Sequence, residues 1–427
     1  MKLEFSPPSD WTVAPLENVA LVQTGIAKGK QVNGNSVDVP YLRVANVQDG
    51  HVDLSVIKQI TVRPVEVDRY LLQSGDVLFT EGGDFDKLGR GTVWAGQIEP
   101  CLHQNHIFAV RPYKKKLLPE ILAAQASSRH GRRYFQLSSK QSTNLASINS
   151  SQLKRFPVVL PPLPEQHVIA EILRIWDEAI ANMEALRAAK DARLKALTFS
   201  MVFGFIQLSR FSKLGEPVKH RWFNLPSNWE CEPVAAISDE VSLRNGNEEH
   251  EVLSCTKYGG FVRSLEYFKK QVFSSDLSGY KVIRRGDFGF PSNHVEEGSI
   301  GLQNLVDTGL VSPIYIVFRF NADRVDNDYA FAVLKTSLYR HIFEVSTSAS
   351  VDRRGSLRWD EFSKIPFPLP PLEEQRAIVS VLQTARADLE ATTREITALQ
   401  RQKRGLMQKL LTGEWRVKVK TKKEHAA

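Results

Sequence analysis

The 427-residue chain reads as an α+β protein: two mixed α/β globular modules separated by two long helices packed as an antiparallel coiled coil, with a pseudo-twofold internal duplication. Three observations lead there. Leu160-Pro161-Pro162-Leu163-Pro164-Glu165-Gln166 returns as Leu369-Pro370-Pro371-Leu372-Glu373-Glu374-Gln375, an offset of 209 residues. Each copy follows a stretch rich in β-branched and aromatic residues, and each precedes an apolar stripe of helical spacing. A repeat this long exceeds any solenoid unit, so whole domains are duplicated.

The copies extend beyond the signature. Between Leu160–Leu173 and Leu369–Leu382, eight of fourteen positions are identical. Upstream, Pro8-Ser9-Asp10-Trp11 answers Pro226-Ser227-Asn228-Trp229, and Gly75-Asp76 answers Gly286-Asp287. The offset drifts from 218 at the tryptophans to 211 at the Gly-Asp pairs, then holds at 209 from the prolines to Gly204 and Gly413. Insertions therefore sit inside the globular parts, while the segments after the prolines keep a fixed length. The expected domains are a first module over 1–160, a helix segment over 161–204, a second module over 205–369 that opens on a short linker (205–225), a second helix segment over 370–413, and a basic tail over 414–427.

Within the modules, Gln73–Phe79 and Val282–Phe288 read as a turn feeding a strand, and Ser312–Arg319 alternates as another strand. One helix is expected in each, around Pro119–Leu137 and Asp328–Phe343.

The long helices are read from their seams. In the first the stripe runs Ile169, Leu173, Trp176, Ile180, Met183, Arg187, Lys190, Leu194, Leu197, Met201; in the second, Ile378, Leu382, Ala385, Leu389, Thr392, Ile396, Leu399, Lys403, Leu406, Leu410. Spacings that alternate between three and four keep one narrow face toward a partner helix. Prolines suit a helix start, Glu165, Glu373 and Glu374 place carboxylates where they meet the helix dipole, and Gly204 and Gly413 read as stops. A helix of about 36 residues rises about 54 Å, which suits a spacer rather than a core element. The short stretch Phe205–Leu225 has to deliver the second module beside the end of the first helix, and antiparallel helices satisfy this. Charged seam positions such as Arg187 and Lys190 fix register, pair across, or face a partner subunit.

Composition sets outer bounds. A net charge of +8 favours a polyanionic partner. Three cysteines without paired spacing, Cys101, Cys231 and Cys255, argue against a disulfide framework or a structural zinc and fit a reducing, cytoplasmic setting. No uncharged run of eighteen apolar residues occurs, so no membrane span is expected.

Candidate contacts to nucleic acid are the residues whose side chains pair with base edges or phosphates. Before the first hinge these are Lys140, Gln141, Thr143 and Asn144; before the second, Ser350, Arg353 and Arg354. Lys28 and Lys30 lie on a Gly-rich turn, Lys87 and Arg90 flank another, and His103, Gln104 and Asn105 offer consecutive hydrogen-bonding groups beside His106. The second module adds Lys257, Tyr258, Lys269, Lys270, Ser292, Asn293 and His294.

Catalytic patterns do not emerge. Gly25-Ile26-Ala27-Lys28-Gly29-Lys30 has one residue too few between its glycines for a phosphate loop, and Gln31 stands where Mg²⁺ needs a hydroxyl. Cys101, His103 and His106 have no fourth ligand at metal spacing, so no metal is expected.

A variable module, a Leu-Pro-Pro-Leu-x-Glu-Gln hinge opening a long helix, and then the whole plan again resembles the specificity subunit of Type I restriction-modification enzymes. The resemblance covers nearly the whole chain. It implies two target-recognition domains, about Met1–Leu160 and Lys213–Leu369, with helices at Pro164–Phe203 and Glu373–Thr412. It further implies that each domain reads one half of a bipartite, asymmetric target in double-stranded DNA, that the helices set the gap, that two copies of a methyltransferase subunit dock, and that a restriction/translocase subunit joins. No cofactor is then bound by this chain; S-adenosylmethionine, ATP and Mg²⁺ belong to the partners. The first hinge departs from the second in carrying Pro164 where Glu373 stands. The residues alone leave open a duplicated coiled-coil scaffold that binds proteins, and a self-contained methyltransferase.

Overall fold

The computed structural model describes residues 3, 5–27, 34–83, 88–89, 91–141, 146–212, 215–246, 248–347 and 356–419. The chain divides into two compact units, Met1–Glu184 with Arg394–Ala427, and Ala185–Thr393.

The first unit runs β1 (Thr12–Pro15), β2 (Ala20–Thr24), β3 (Val37–Leu42), β4 (Lys58–Val62), α1 (Pro64–Tyr70), β5 (Val77–Thr80), β6 (Gly82–Gly83), β7 (Gly91–Val93), β8 (Leu102–His103), β9 (Ile107–Pro112), α2 (Pro119–Ser127), α3 (Arg129–Ser138), β10 (Lys140–Gln141), β11 (Ala146–Ser147), α4 (Ser150–Lys154), β12 (Pro157–Leu160) and the first half of α5 (Leu163–Val202). Its sheets are ordered β2-β9-β5-β7, β4-β3-β8 and β10-β11-β6, and β1 pairs with β12. The Gly-Asp turn is built by its aspartate. Gly75 takes φ +94°, and the buried Asp76 carboxylate accepts the Gln73 N–H at 2.8 Å while Arg111 of β9 grips it through Nε and Nη2, both at 2.7 Å.

The single helix expected over Pro119–Leu137 is instead two. Ser128 ends α2 and caps α3, its hydroxyl accepting the Gly131 N–H at 3.3 Å. Gly131 lies so close to α2 that a Cβ there would stand 2.3 Å from the Gln125 carbonyl oxygen.

The second unit repeats the plan. It holds the second half of α5, then β13 (Val218–Lys219), β14 (Asn224–Leu225), β15 (Glu230–Pro233), β16 (Ser238–Glu240), β17 (Glu251–Thr256), β18 (Gly260–Arg263), α6 (Ser264–Phe268), β19 (Lys281–Arg284), β20 (Phe288–Pro291), β21 (Gly301–Leu302), β22 (Thr308–Val311), β23 (Tyr315–Phe320), α7 (Asn327–Leu334), α8 (Ser337–Ser346), α9 (Trp359–Phe362), β24 (Pro366–Leu369) and the first half of α10 (Leu372–Thr412). The order β16-β23-β20-β21 matches β2-β9-β5-β7, β18-β17-β22 matches β4-β3-β8 with β19 added, and β15 pairs with β24 as β1 does with β12. Asp287 repeats Asp76, accepting the Arg284 N–H at 2.8 Å and Arg319 Nε at 2.6 Å. Here too the helix expected over Asp328–Phe343 is two, because the Thr336 hydroxyl caps α8. The linker 205–225 contains the hairpin β13–β14.

The long helices span 40 and 41 residues, each beginning one residue ahead of the expected start, at Leu163 and Leu372. In the first unit Asp177 pairs with Lys403, and Gln400 donates to Glu184 at 3.2 Å. In the second, Lys190 donates to Asp388 at 2.8 Å and to Thr392 at 2.9 Å. Numbers rise along α5 as they fall along α10, so the pairing is antiparallel in both units. Of the twenty seam positions only Arg187 is exposed, and it leaves the seam for solvent, whereas Lys190 stays by pairing across. The expectation of a pure spacer needs correction. Ile169, Leu173 and Leu410 belong to the first unit's core, with Leu406 packed against it, and Met201, Ile378 and Leu382 to the second's, with Leu194 and Leu197 packed against it. Long apolar stripes that overrun a helix pair bury their ends on whatever module adjoins them.

Candidate nucleic-acid interface

In the first unit the candidate segments converge on a short strand edge. The Glu81 N–H donates to the His106 carbonyl at 2.9 Å, its carboxylate lies 2.5 Å from His106 Nδ1, and its own carbonyl accepts the Ile148 N–H at 2.8 Å. Glu81 thus ties the turn after His103 to the loop that follows Lys140. The small sheet reinforces this: β11 pairs with β10 on one side and with β6 on the other. The Gly-rich turn joins as well, since Ile26 bridges Gln104, the Ile26 N–H donates to the His103 carbonyl at 2.8 Å, and the Asn105 N–H donates to the Ile26 carbonyl at 2.9 Å. Gly25 is required there, because a Cβ would stand 2.1 Å from the His103 carbonyl oxygen.

The segment His103–Asn105 and the one that includes Lys140 are therefore anchored together, beside the start of the Gly-rich turn at Gly25 and Ile26. Lys140 is exposed, and Gln104 and Asn105 are half-buried. Lys28, Lys30, Lys87, Arg90, Thr143 and Asn144 lie outside the described residues, as does the side chain of Gln141. His103 is a correction. It is fully buried, its Nδ1 donates to the Tyr70 carbonyl at 3.2 Å, and burial pushes its pKa down to about 4. A neutral ring turned into the core fastens β8 to the end of α1; it does not meet a phosphate. Cys101 beside it is also buried, its thiol pushed up to about 12 by desolvation.

The second unit builds the same anchor from different residues. The Ser292 carbonyl accepts the Leu357 N–H at 2.8 Å, and Ser292 and Leu357 stand at the repeat positions of Glu81 and Ile148. Lys335 gathers the rest: its ammonium donates to the carbonyls of Lys257 and Gly298, both at 2.9 Å, and of Ile300 at 3.3 Å. The half-buried ammonium thus clamps three carbonyls together, and desolvation lowers its pKa; sequence spacing does not reveal this role. Lys257, Tyr258 and His294 are exposed, and Ser292 and Asn293 are half-buried. Ser350, Arg353 and Arg354 lie outside the described residues. Lys269 and Lys270 follow α6, exposed, and among the described residues no hydrogen bond ties them to Lys335.

Two α+β units built on one plan, with different residues on their corresponding loops and with portions of both long helices in each, define an internally duplicated α+β protein. The sequence profile described as type I restriction modification DNA specificity domain matches residues 8–189 and 280–401, and the chain belongs to that family. A Methanocaldococcus jannaschii protein, provisionally assigned as the MjaX type I restriction enzyme specificity subunit, is 26% identical over 431 residues, covering 96% of this chain and 95% of the relative. The EcoKI specificity subunit of Escherichia coli is 29% identical over 217 residues, 49% of this chain and 42% of that protein. A solved chain from work on complex assembly and conformational transition of the type I R-M system superposes with a TM-score of 0.60 at 17% identity, covering 96% of this chain and 100% of that one; at this identity the likeness speaks for the fold. Among the described residues no helix is long and apolar enough to cross a membrane.

Proposed function

We propose that each unit reads one half of a bipartite, asymmetric sequence in double-stranded DNA, and that α5 and α10 set the gap between the halves. One observation carries the reading: the same backbone anchor, Glu81 to Ile148 and Ser292 to Leu357, gathers polar and basic loops in both units, yet the residues on those loops differ. A common frame with different contents suits two readers of different half-sites. Helices of 40 and 41 residues extend about 60 Å at 1.5 Å per residue, more than the roughly 34–36 Å of one B-DNA turn. Half-sites separated by uncontacted base pairs are in reach of such a spacer.

In this reading the chain is the non-catalytic partner of an assembly. Two copies of a methyltransferase subunit dock on the duplicated body, and a restriction/translocase subunit joins them. S-adenosylmethionine, ATP and Mg²⁺ act in those partners, and this chain holds none of them. The recognition domains are the modules over 1–160 and 205–369.

The test is a map of methylated positions in DNA from a host that expresses this chain with its methyltransferase, before and after one module is exchanged for that of a relative. A split motif in which only one half changes is expected. Both halves changing together would refute independent readers, and binding to proteins with no selection from random duplex pools would favour a scaffold.

A further inference from the structure

The units share a feature beyond their sheets. Hairpin β3–β4 runs into α1 and hairpin β17–β18 runs into α6, and each helix opens on an arginine that pairs with a glutamate three residues on. Arg63 meets Glu66 at 3.3 Å, and Arg263 meets Glu266 at 3.7 Å. This clasp is constant; what it carries is not. α1 displays Val65, Asp68 and Arg69, whereas α6 displays Leu265, Tyr267 and Phe268, followed by Lys269 and Lys270.

Folding alone does not explain the face of α6. Tyr267 is 58% exposed and Leu265 57%, and the Tyr267 and Phe268 rings meet edge to face, centroids 4.9 Å apart, packing on each other. Neighbouring large apolar side chains left in water mark a surface that something covers. Charge identifies the cover. Among the described residues neither Lys269 nor Lys270 has an acidic partner, while the nearby acids Glu251 and Glu266 are both engaged by Arg263, at 3.1 and 3.7 Å. Lys269 also takes φ +52°, the left-handed region that non-glycine residues seldom occupy. Aromatic faces beside free cations suit a partner that offers both stackable rings and phosphates.

Position agrees. In the first unit the end of α1 is fastened to the interface, since the Tyr70 carbonyl receives the His103 ring immediately before Gln104 and Asn105. α6 holds the same topological place in the second unit, after the edge strand of the β18-β17-β22 sheet.

We propose that α6 is a sequence-reading element of the second unit, with Tyr267 and Phe268 touching bases of duplex DNA and Lys269 and Lys270 holding the flanking phosphates. The inference rests on the DNA-reading function proposed above.

The experiment selects duplexes from a randomised pool with the full chain as wild type, as Tyr267→Ser/Phe268→Ser, and as Lys269→Ala/Lys270→Ala, then measures affinity for the selected site by fluorescence anisotropy. The aromatic variant should keep one half of the wild-type motif and lose the other, with affinity for the intact site falling about tenfold or more. The lysine variant should weaken binding to all duplexes and reduce the salt dependence by roughly two phosphate contacts. Circular dichroism checks folding, and Tyr267→Ala replaces the double variant if that unfolds. A motif retained whole by the folded aromatic variant, at unchanged affinity, overturns α6 as a reader and leaves the proposed function standing. A wild-type chain that selects no motif removes both, including the case where anionic vesicles or acidic proteins occupy the patch instead.

Discussion

The side-chain oxygen of Gln375 accepts the backbone N–H of Asp326 at 2.8 Å, and Gln166 does the same for Leu118 at 2.9 Å. Asp326 and Leu118 are the residues that open α7 and α2. The amide of each glutamine meanwhile donates to two carbonyls, Arg324 and Pro370 in one unit, Lys116 and Pro161 in the other. The glutamine of the repeated signature is thus a buried bolt between a long helix and the module beside it. Gln375→Leu should leave a donor and two acceptors unpaired and destabilise the second unit by roughly 2–5 kcal/mol, read as a loss of that unit's transition in thermal or urea unfolding. A change below 0.5 kcal/mol would contradict the bolt.

Gly204 and Gly413 end the long helices at φ +69° and +73°. Space constrains them as much as conformation does: a Cβ at Gly204 would lie 2.4 Å from Pro226, and one at Gly413 2.4 Å from Pro8. Each glycine lets the helix end nest on the Pro-Ser-x-Trp segment that opens a module. Gly204→Ala and Gly413→Ala should each cost more than the roughly 1 kcal/mol of a left-handed alanine, and each should lower the melting of its own unit alone.

His103 supplies a pH dependence. Its pKa falls from the ordinary 6.5 to about 4, burial being the leading cause and the Tyr70 carbonyl opposing it. A depressed folded value means that the unfolded chain takes up the proton first. Stability is therefore full above about 6.5 and is lost as pH falls toward 4, a loss of about 3 kcal/mol once both states are titrated. His103→Gln should flatten the melting profile of the first unit between those pH values, and an unchanged profile would show that another group governs it.

Much of this architecture is legible from the residues because two strong signals coincide, a duplicated signature and a seam of period 3.5. The Gly-Asp pairs read as turns, yet nothing nearby in the sequence points to their ionic partners Arg111 and Arg319, since strand register brings these there from 35 and 32 residues away. Ser128 and Thr336 split two expected helices because a hydroxyl within an apolar run caps as readily as it continues. His103 reads as a candidate contact to nucleic acid because local sequence does not tell an exposed imidazole from one turned into the core beneath α1. Lys335 and the Arg-x-x-Glu clasps carry no local signal because their role is visible only once separate hairpins have been assembled.

The two units solve one buried-carboxylate problem differently. Glu165 is held by Arg416, with Nε at 3.1 Å and Nη2 at 2.5 Å, and Arg416 also reaches Asp10 at 3.0 and 2.7 Å. Among the described residues Glu374, its repeat, meets only neutral donors, Trp229 Nε1 at 3.0 Å and Gln207 at 3.3 Å. Gln207 stands at the repeat position of Arg416, so a cation in one unit is an amide in the other. Burial accordingly lifts the Glu374 pKa, and the two hydrogen bonds only partly oppose it. A carboxyl raised in the folded state favours folding below its ordinary 4.5 and loses that contribution as pH climbs through the raised value. Glu374→Gln should therefore raise the melting of the second unit at pH 7 by a few degrees and change it little at pH 4. Gln207→Arg should reach the same end by supplying the missing cation, and Arg416→Gln should make the first unit copy the weakness of the second. Equal melting of wild type and Gln207→Arg across this range would show that the desolvated carboxylate is already compensated by its two neutral donors.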